Sequence, residues 1–278
     1  MSLFWSLTTN QHKMLECTLA PYAEHIRFRT GATGAWGLGY YSVGEVLQRV
    51  EPKKQGEPLD VTEVMNGIRA DLIMMHTRTA TVGDVRRQNV HPFRFKEWLF
   101  AHNGTISGFE DFRDKLCDAM PPFIQRGIQG DTDSEHLFHL LLSFLYDAGL
   151  MGRPNLDTSS IRDALNRAVA MVDEFSLEVG KQPSPGSFVI SDGYSLIVLS
   201  RGISVDYVLI EGIRDCSVCR PSIRPGQNET PRVDHKDLRA VLVRSGVDEG
   251  PPDAFQKLDD NSFLLVTKDH KIEFSPFG

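Results

Sequence analysis

The chain has 278 residues, of which 41% are hydrophobic and 24% charged, and 37 acidic side chains outweigh 30 basic ones for a net charge of −7. This is the composition of an ordinary soluble globular protein with ample material for a core. It disfavours a nucleic-acid grip, and no apolar run approaches the roughly 20 residues of a membrane span.

The start of the chain lacks a basic stretch followed by an apolar segment, so no secretory signal is expected and a cytoplasmic location is the default. Ser2-Leu3-Phe4-Trp5-Ser6-Leu7 predicts a buried first strand. Residues 15–22 predict a helical turn or two, weakened by Pro21. Residues 35–41 read as a glycine-punctuated strand, turned at Val43-Gly44 into a second strand over 45–50. Residues 71–77 predict another buried strand. Residues 98–101 and 105–106 flank Asn103-Gly104, a hairpin signal.

Three helices follow. The first spans 109–120 and is stopped by Pro121-Pro122. The second spans 133–148, with Thr132 and Glu135 in a capping-box pattern and Gly149 at its end. The third spans 159–179, with Ile161, Leu165, Val169, Val172 and Phe175 at helical spacing. Strands are then expected over 188–191, 195–200, 205–209, 240–243, 263–267 and 272–274, with turns at Asp192-Gly193 and Asp269-His270. Residues 220–236 and 246–260 read as loops.

Four cysteines are too few for a disulfide scaffold in a chain this long. Cys216-Ser217-Val218-Cys219 has CxxC spacing, but a structural zinc needs two further ligands, and no second CxxC or HxxxH is present. His235 or His270 would serve only through the fold. The expectation is therefore two reduced thiols in a loop, and no metal.

Three segments carry chemistry. Asn103-Gly104 suits a tight turn, and equally an oxyanion hole made of the Asn103 amide and the Gly104 N–H. Arg78, at the end of a buried strand, suits a salt bridge, or a planar fork for an α-carboxylate. Asp133, opening a helix, suits dipole compensation, or pairing with an α-ammonium. Together Arg78 and Asp133 would clamp an amino-acid head group, with its side-chain amide directed toward Asn103 and Gly104.

The ordered set His76-Thr77-Arg78-Thr79-Ala80-Thr81, Ala101-His102-Asn103-Gly104-Thr105 and Thr132-Asp133-Ser134-Glu135 resembles the glutamine-binding half-site of class II glutamine amidotransferases, which are N-terminal-nucleophile hydrolases. The similarity is most convincing over residues 1–148 and is strongest to the small stand-alone branch. It implies one α+β domain over 1–278, a four-layer αββα sandwich of two antiparallel sheets between helices.

By the same resemblance Arg78, Thr81 and Asp133 bind the glutamine head, and Asn103 and Gly104 hold the oxyanion. Trp36-Gly37-Leu38-Gly39 resembles the family's Gly-Trp-Gly strand beside the nucleophile, which places Trp36 at the substrate. Ser191-Asp192-Gly193 resembles a later strand-turn. No cofactor or metal is implied. The implied partners are glutamine or a γ-glutamyl compound, and a separate synthase subunit or another protein, with neither nucleic acid nor membrane.

The family's nucleophile is an N-terminal cysteine exposed by methionine removal, whose α-amine acts as base. Here Ser2 holds that position. Three readings follow: an active serine-type amidohydrolase, a pseudo-enzyme that keeps the glutamine pocket as sensor or scaffold, and processing after Glu16 that exposes Cys17.

Overall fold

The computed structural model describes residues 2–26, 35–52, 64–78, 86–152, 157–220, 232–246 and 253–278. Thr81 and the middles of both late loops lie outside them. The first strand, β1 (Leu3–Thr9), sends Phe4 into one buried apolar cluster and Trp5 and Leu7 into another. Alternate side chains of a strand point to opposite faces, so a strand buried on both reads as one continuous apolar run. Ser6, the polar exception, donates its hydroxyl to the Ile73 carbonyl at 2.8 Å.

Helix α1 (Leu15–Leu19) gives way to a 3-10 turn over Ala20–His25 with Pro21 in its first turn. Proline lacks the N–H that would continue the α-helical ladder, so the change of pitch falls there. Strands β2 (Ala35–Ser42) and β3 (Glu45–Pro52) pair antiparallel. Their turn at Val43-Gly44 has positive φ at both residues, 53° and 80°. Then come β4 (Leu72–Arg78), β5 (Phe93–Phe95) and β6 (Trp98–Gly104).

Four helices occupy the middle of the chain: α2 (Phe109–Asp118), α3 (Pro122–Gln125), α4 (Asp133–Asp147) and α5 (Thr158–Glu178). The remaining strands are β7 (Gly186–Ser191), β8 (Leu196–Arg201), β9 (Val205–Ile213), β10 (His235–Ser245), β11 (Gln256–Lys257), β12 (Ser262–Val266) and β13 (Ile272–Pro276). They complete a seven-stranded sheet in the order β11-β9-β10-β1-β4-β2-β3 and a six-stranded sheet in the order β13-β12-β8-β7-β6-β5. All the described pairings are antiparallel.

The sheets pack face to face through Phe4, Tyr41 and Met74 on one side and Leu99, Val189 and Val198 on the other. Helices α2, α4 and α5 cover the outer face of the six-stranded sheet, with Phe138, Leu141 and Leu165 against Phe100, Phe188 and Ile197. The outer face of the seven-stranded sheet carries a thinner cover, formed by Leu15 and Leu19 of α1 with Ile26, Met65 and Phe255. The α+β architecture of two antiparallel sheets with flanking helices is thus the one anticipated.

Three local expectations change. Asn103-Gly104 does not turn a hairpin. Strand β6 runs straight through both residues and pairs with β5 on one edge and β7 on the other, Asn103 opposite Ser187 and Gly104 opposite Gly186. The capping box is half formed: Thr132 Oγ1 accepts the Glu135 N–H at 3.2 Å, but the Glu135 carboxylate turns to the N–H groups of Gln129 and Gly130. Strand β10 begins at His235, inside the stretch anticipated as a loop, because pairing with β9 recruits a polar segment that has no strand signal of its own.

Candidate active site

At one end of the inter-sheet layer the apolar packing stops. Along the inner face of β4, Leu72 and Met74 are followed by His76 and Arg78, and along β6, Leu99 and Ala101 are followed by Asn103. On β10, Val241 and Val243 give way to Ser245, and β7 contributes Ser187. All five polar residues are buried. The hydroxyls of Ser187 and Ser245 form a short hydrogen bond between the two sheets. Ser245 Oγ also donates to the Ser204 carbonyl at 3.1 Å, so Ser187 is the donor between the pair.

Ser2 stands at this polar end, immediately before the Leu3–Thr77 pairing of β1 with β4. Gly246, next after Ser245, explains how Ser2 and Asn103 meet. A β-carbon at Gly246 would lie 2.3 Å from the Ser2 carbonyl oxygen and 3.0 Å from Asn103 Nδ2. Its φ of +83° also favours glycine. Glycine therefore lets Ser2 and the Asn103 amide approach from two sides of one missing side chain. The Asn103 Oδ1 and Nδ2 atoms are buried with no hydrogen-bond partner among the described residues.

Three buried histidines, His76, His91 and His102, belong to the same end of the layer. The His76 and His91 rings are 4.2 Å apart, and none of their four ring nitrogens has a hydrogen-bond partner among the described residues. Burial pushes His76 down to about 3, opposed by the nearby His102 backbone and Asn103 side chain and helped slightly by the charges of His102 and Arg78. It pushes His91 well below the usual range for the same reason. His102 is also lowered by burial, with Asp133 opposing the shift. These imidazoles are neutral at pH 7, which spares the site a concentration of positive charge beside Arg78. His102 Nδ1 lies 2.9 Å from Ser134 Oγ, linking β6 to the start of α4.

Asp133 occupies the first position of α4 and is buried. Its Oδ2 accepts the Ile106 N–H at 2.8 Å, and its Oδ1 accepts the Ser134 N–H at 2.8 Å and the Ser134 hydroxyl at 3.3 Å. A carboxylate has about four acceptor sites, so one further donor can still be received.

Trp36 sits elsewhere. It is buried in the apolar cluster on the outer face of the seven-stranded sheet, with the Arg49 guanidinium 5.3 Å from its ring centre. The neighbouring glycines face inward: a β-carbon at Gly37 would lie 2.1 Å from the His91 carbonyl oxygen. Cys17 is buried in α1. Cleavage after Glu16 would remove β1, which lies between β10 and β4 near the centre of its sheet, so the structure argues against Cys17 as an exposed nucleophile.

His76 and His102 belong to the sequence motifs without a role that the sequence assigns, and Gly246 opens a stretch that reads as a loop. A glycine directly after a strand is the one signal that marked it. Its partners lie 143 and 244 positions away in the chain, by subtraction of Asn103 and Ser2 from Gly246.

Residues 1–210 match the family model "Glutamine amidotransferases class-II". A probable glutamine amidotransferase from Saccharomyces cerevisiae is 32% identical over 214 residues, covering 72% of this chain and 58% of its own. A glutamine–fructose-6-phosphate aminotransferase from Halalkalibacterium halodurans is 27% identical over 169 residues, covering 57% of this chain and 27% of its own. The chain therefore spans little more than half the yeast relative and about a quarter of the bacterial one.

Among solved structures, a glutamine aminotransferase class-II domain protein from Silicibacter pomeroyi superposes with a TM-score of 0.62 at 19% identity, covering 99% of both chains. The glutamine phosphoribosylpyrophosphate amidotransferase of B. subtilis superposes with a TM-score of 0.55 at 15% identity, over 100% of this chain and 49% of that one. At these identities the structural likeness concerns the fold, while the match to the family model covers three quarters of the sequence. The chain belongs to the class-II glutamine amidotransferases.

Proposed function

We propose that this protein is an amidohydrolase that cleaves the side-chain amide of glutamine or of a γ-glutamyl compound, with Ser2 as nucleophile. The observation that carries the proposal is the convergence of the Ser2 backbone and the Asn103 amide, the latter without a hydrogen-bond partner among the described residues, on Gly246 at a polar end of the inter-sheet layer.

Methionine removal frees the Ser2 α-amine, and α-amines ordinarily titrate at about 7.7–8.0, within range for a general base at neutral pH. The Ser2 amine takes the proton from Ser2 Oγ as that oxygen attacks the amide carbon. Asn103 Nδ2 and the Gly104 N–H stabilise the resulting oxyanion. The substrate's amide nitrogen takes that proton from the α-ammonium as the C–N bond breaks and leaves as ammonia, and a γ-glutamyl ester remains on Ser2. Water, deprotonated by the same amine, hydrolyses the ester to glutamate. Arg78 and Asp133 hold the substrate's α-carboxylate and α-ammonium, and Thr81 adds to that clamp. Neither metal nor organic cofactor enters the scheme. The released ammonia goes either to water, in a plain hydrolase, or to the substrate of a synthase partner.

The test is release of glutamate and ammonia from glutamine and a panel of γ-glutamyl amides, on protein whose N-terminus has been verified by mass. Turnover that disappears in Ser2→Ala is the expected result; full activity in that variant would overturn the proposal. The presence of serine at this position supports one second reading, a pseudo-enzyme that binds glutamine as sensor or scaffold. Calorimetric titration showing binding, together with no turnover in the mass-verified wild type, would select it.

A further inference from the structure

Cys17, Cys216, Cys219 and His235 meet at the opposite end of β10 from Ser2 and Gly246. One ligand atom from each residue, three thiol sulfurs and one imidazole nitrogen, lies within 4.8 Å of every other. We propose that these four residues bind a single zinc ion in a closed, structural Cys3His site.

Spacing along the chain displays only the CxxC pair. The fold adds Cys17 from α1 and His235 from the first residue of β10. A tetrahedral zinc with Zn–S bonds of about 2.3 Å has sulfur–sulfur edges of about 3.8 Å. Cys17 Sγ and Cys219 Sγ are 3.4 Å apart, near that edge and far beyond the roughly 2.05 Å of a disulfide.

The loop is also shaped for the purpose. The Arg220 N–H closes the turn on the Cys216 carbonyl at 3.0 Å, and the Cys216 N–H donates to the Val233 carbonyl at 2.7 Å. His235 Nε2 is buried without a hydrogen-bond partner among the described residues, an arrangement that a bound cation would resolve.

Three soft thiolates and an imidazole select zinc over magnesium or calcium, and four protein ligands leave no open position for a substrate. Binding releases the thiol protons to solvent. The eleven residues of β10 separate the site from Gly246 by up to about 36 Å, at about 3.3 Å per residue. The ion would therefore tie α1 to the base of the β9–β10 pair without touching the catalytic end.

The experiment uses the full chain, purified under reducing conditions without chelator. Expected are one zinc per chain by elemental analysis and, after exchange into Co(II), the visible absorption and thiolate charge-transfer band of a tetrahedral cobalt–thiolate centre. Cys219→Ser and His235→Ala should weaken zinc binding at least tenfold, while Cys117→Ser should leave it unchanged. Removal of zinc should lower Tm. The proposal is overturned if folded, reduced wild-type protein gives no such cobalt spectrum and its thiols react with a thiol reagent at the same rate with and without Zn(II). A Cys17–Cys219 disulfide in metal-free protein, seen as a dithiothreitol-reversible loss of two hydrogens, would overturn it equally. These readouts do not involve glutamine turnover, so they stand or fall independently of the catalytic role of Ser2.

Discussion

Asn103 is held in the folded protein with both ends of its side-chain amide buried and unpartnered among the described residues. Leaving buried polar atoms without a hydrogen bond costs about 1–3 kcal/mol each. A fold retains such a group when something else comes to meet it, and an amide nitrogen that shares the space beside Gly246 with the Ser2 backbone is placed to donate to an oxyanion. Asn103→Ala should therefore lower kcat by about 10²–10³ with little change in KM. It should cost little stability, because neither end of the amide makes a well-formed hydrogen bond to the protein, the His76 ring being a near neighbour only. Steady-state kinetics paired with urea denaturation of the same variant checks both halves. A loss confined to stability would show Asn103 to be structural.

At the scale of the element, β2 shows how the site is brought together. Its outward residues Trp36 and Leu38 fill the outer cluster, and its inward Gly37 and Gly39 leave room for the segment carrying His91 and Pro92. The two glycines differ in what they avoid. A β-carbon at Gly37 would meet the His91 carbonyl oxygen at 2.1 Å, a backbone atom that cannot rotate away. One at Gly39 would meet the ends of the Leu99 and Pro92 side chains at 2.8 and 2.9 Å. Overpacking costs about 1–3 kcal/mol where side chains can give, and more where they cannot. Gly37→Ala should thus destabilise by about 3 kcal/mol or more, and clearly beyond Gly39→Ala. Equal urea midpoints for the two variants would contradict this account.

Across the whole molecule, the buried histidines make folding depend on pH. An unfolded histidine binds its proton near 6.5, whereas burial holds His76 down to about 3 and lowers His91 and His102 as well. Between those values the unfolded chain binds more protons than the folded one. Stability is therefore fully present above about 6.5 and is lost as pH falls toward 3, by up to about 1.4 kcal/mol per pH unit for each histidine. Urea midpoints should drop steeply between pH 7.5 and 5, and His76→Gln should flatten the curve. A profile unchanged by that substitution would show that His76 does not carry the effect.

The amino-acid sequence by itself determined the elements and the family. Helical spacing, end signals and runs of apolar residues depend on neighbours a few positions apart, so β1, α4 and α5 were legible before any fold was known. So were Arg78, Asn103 and Asp133 as residues of interest, because they sit in short contiguous motifs. Only the tertiary structure decided what meets what. Asn103 and Gly104 read as a turn until pairing with β7 drew them into a strand. Trp36 read as a neighbour of the site until the alternation of β2 faced it outward. Gly246 joined Ser2 and Asn103, and Cys17 and His235 joined the CxxC pair, through an order of strands that places β1 between β10 and β4. Contacts of that kind are set by which sheet faces and edges come together, and local sequence encodes the face of each strand but not its neighbour.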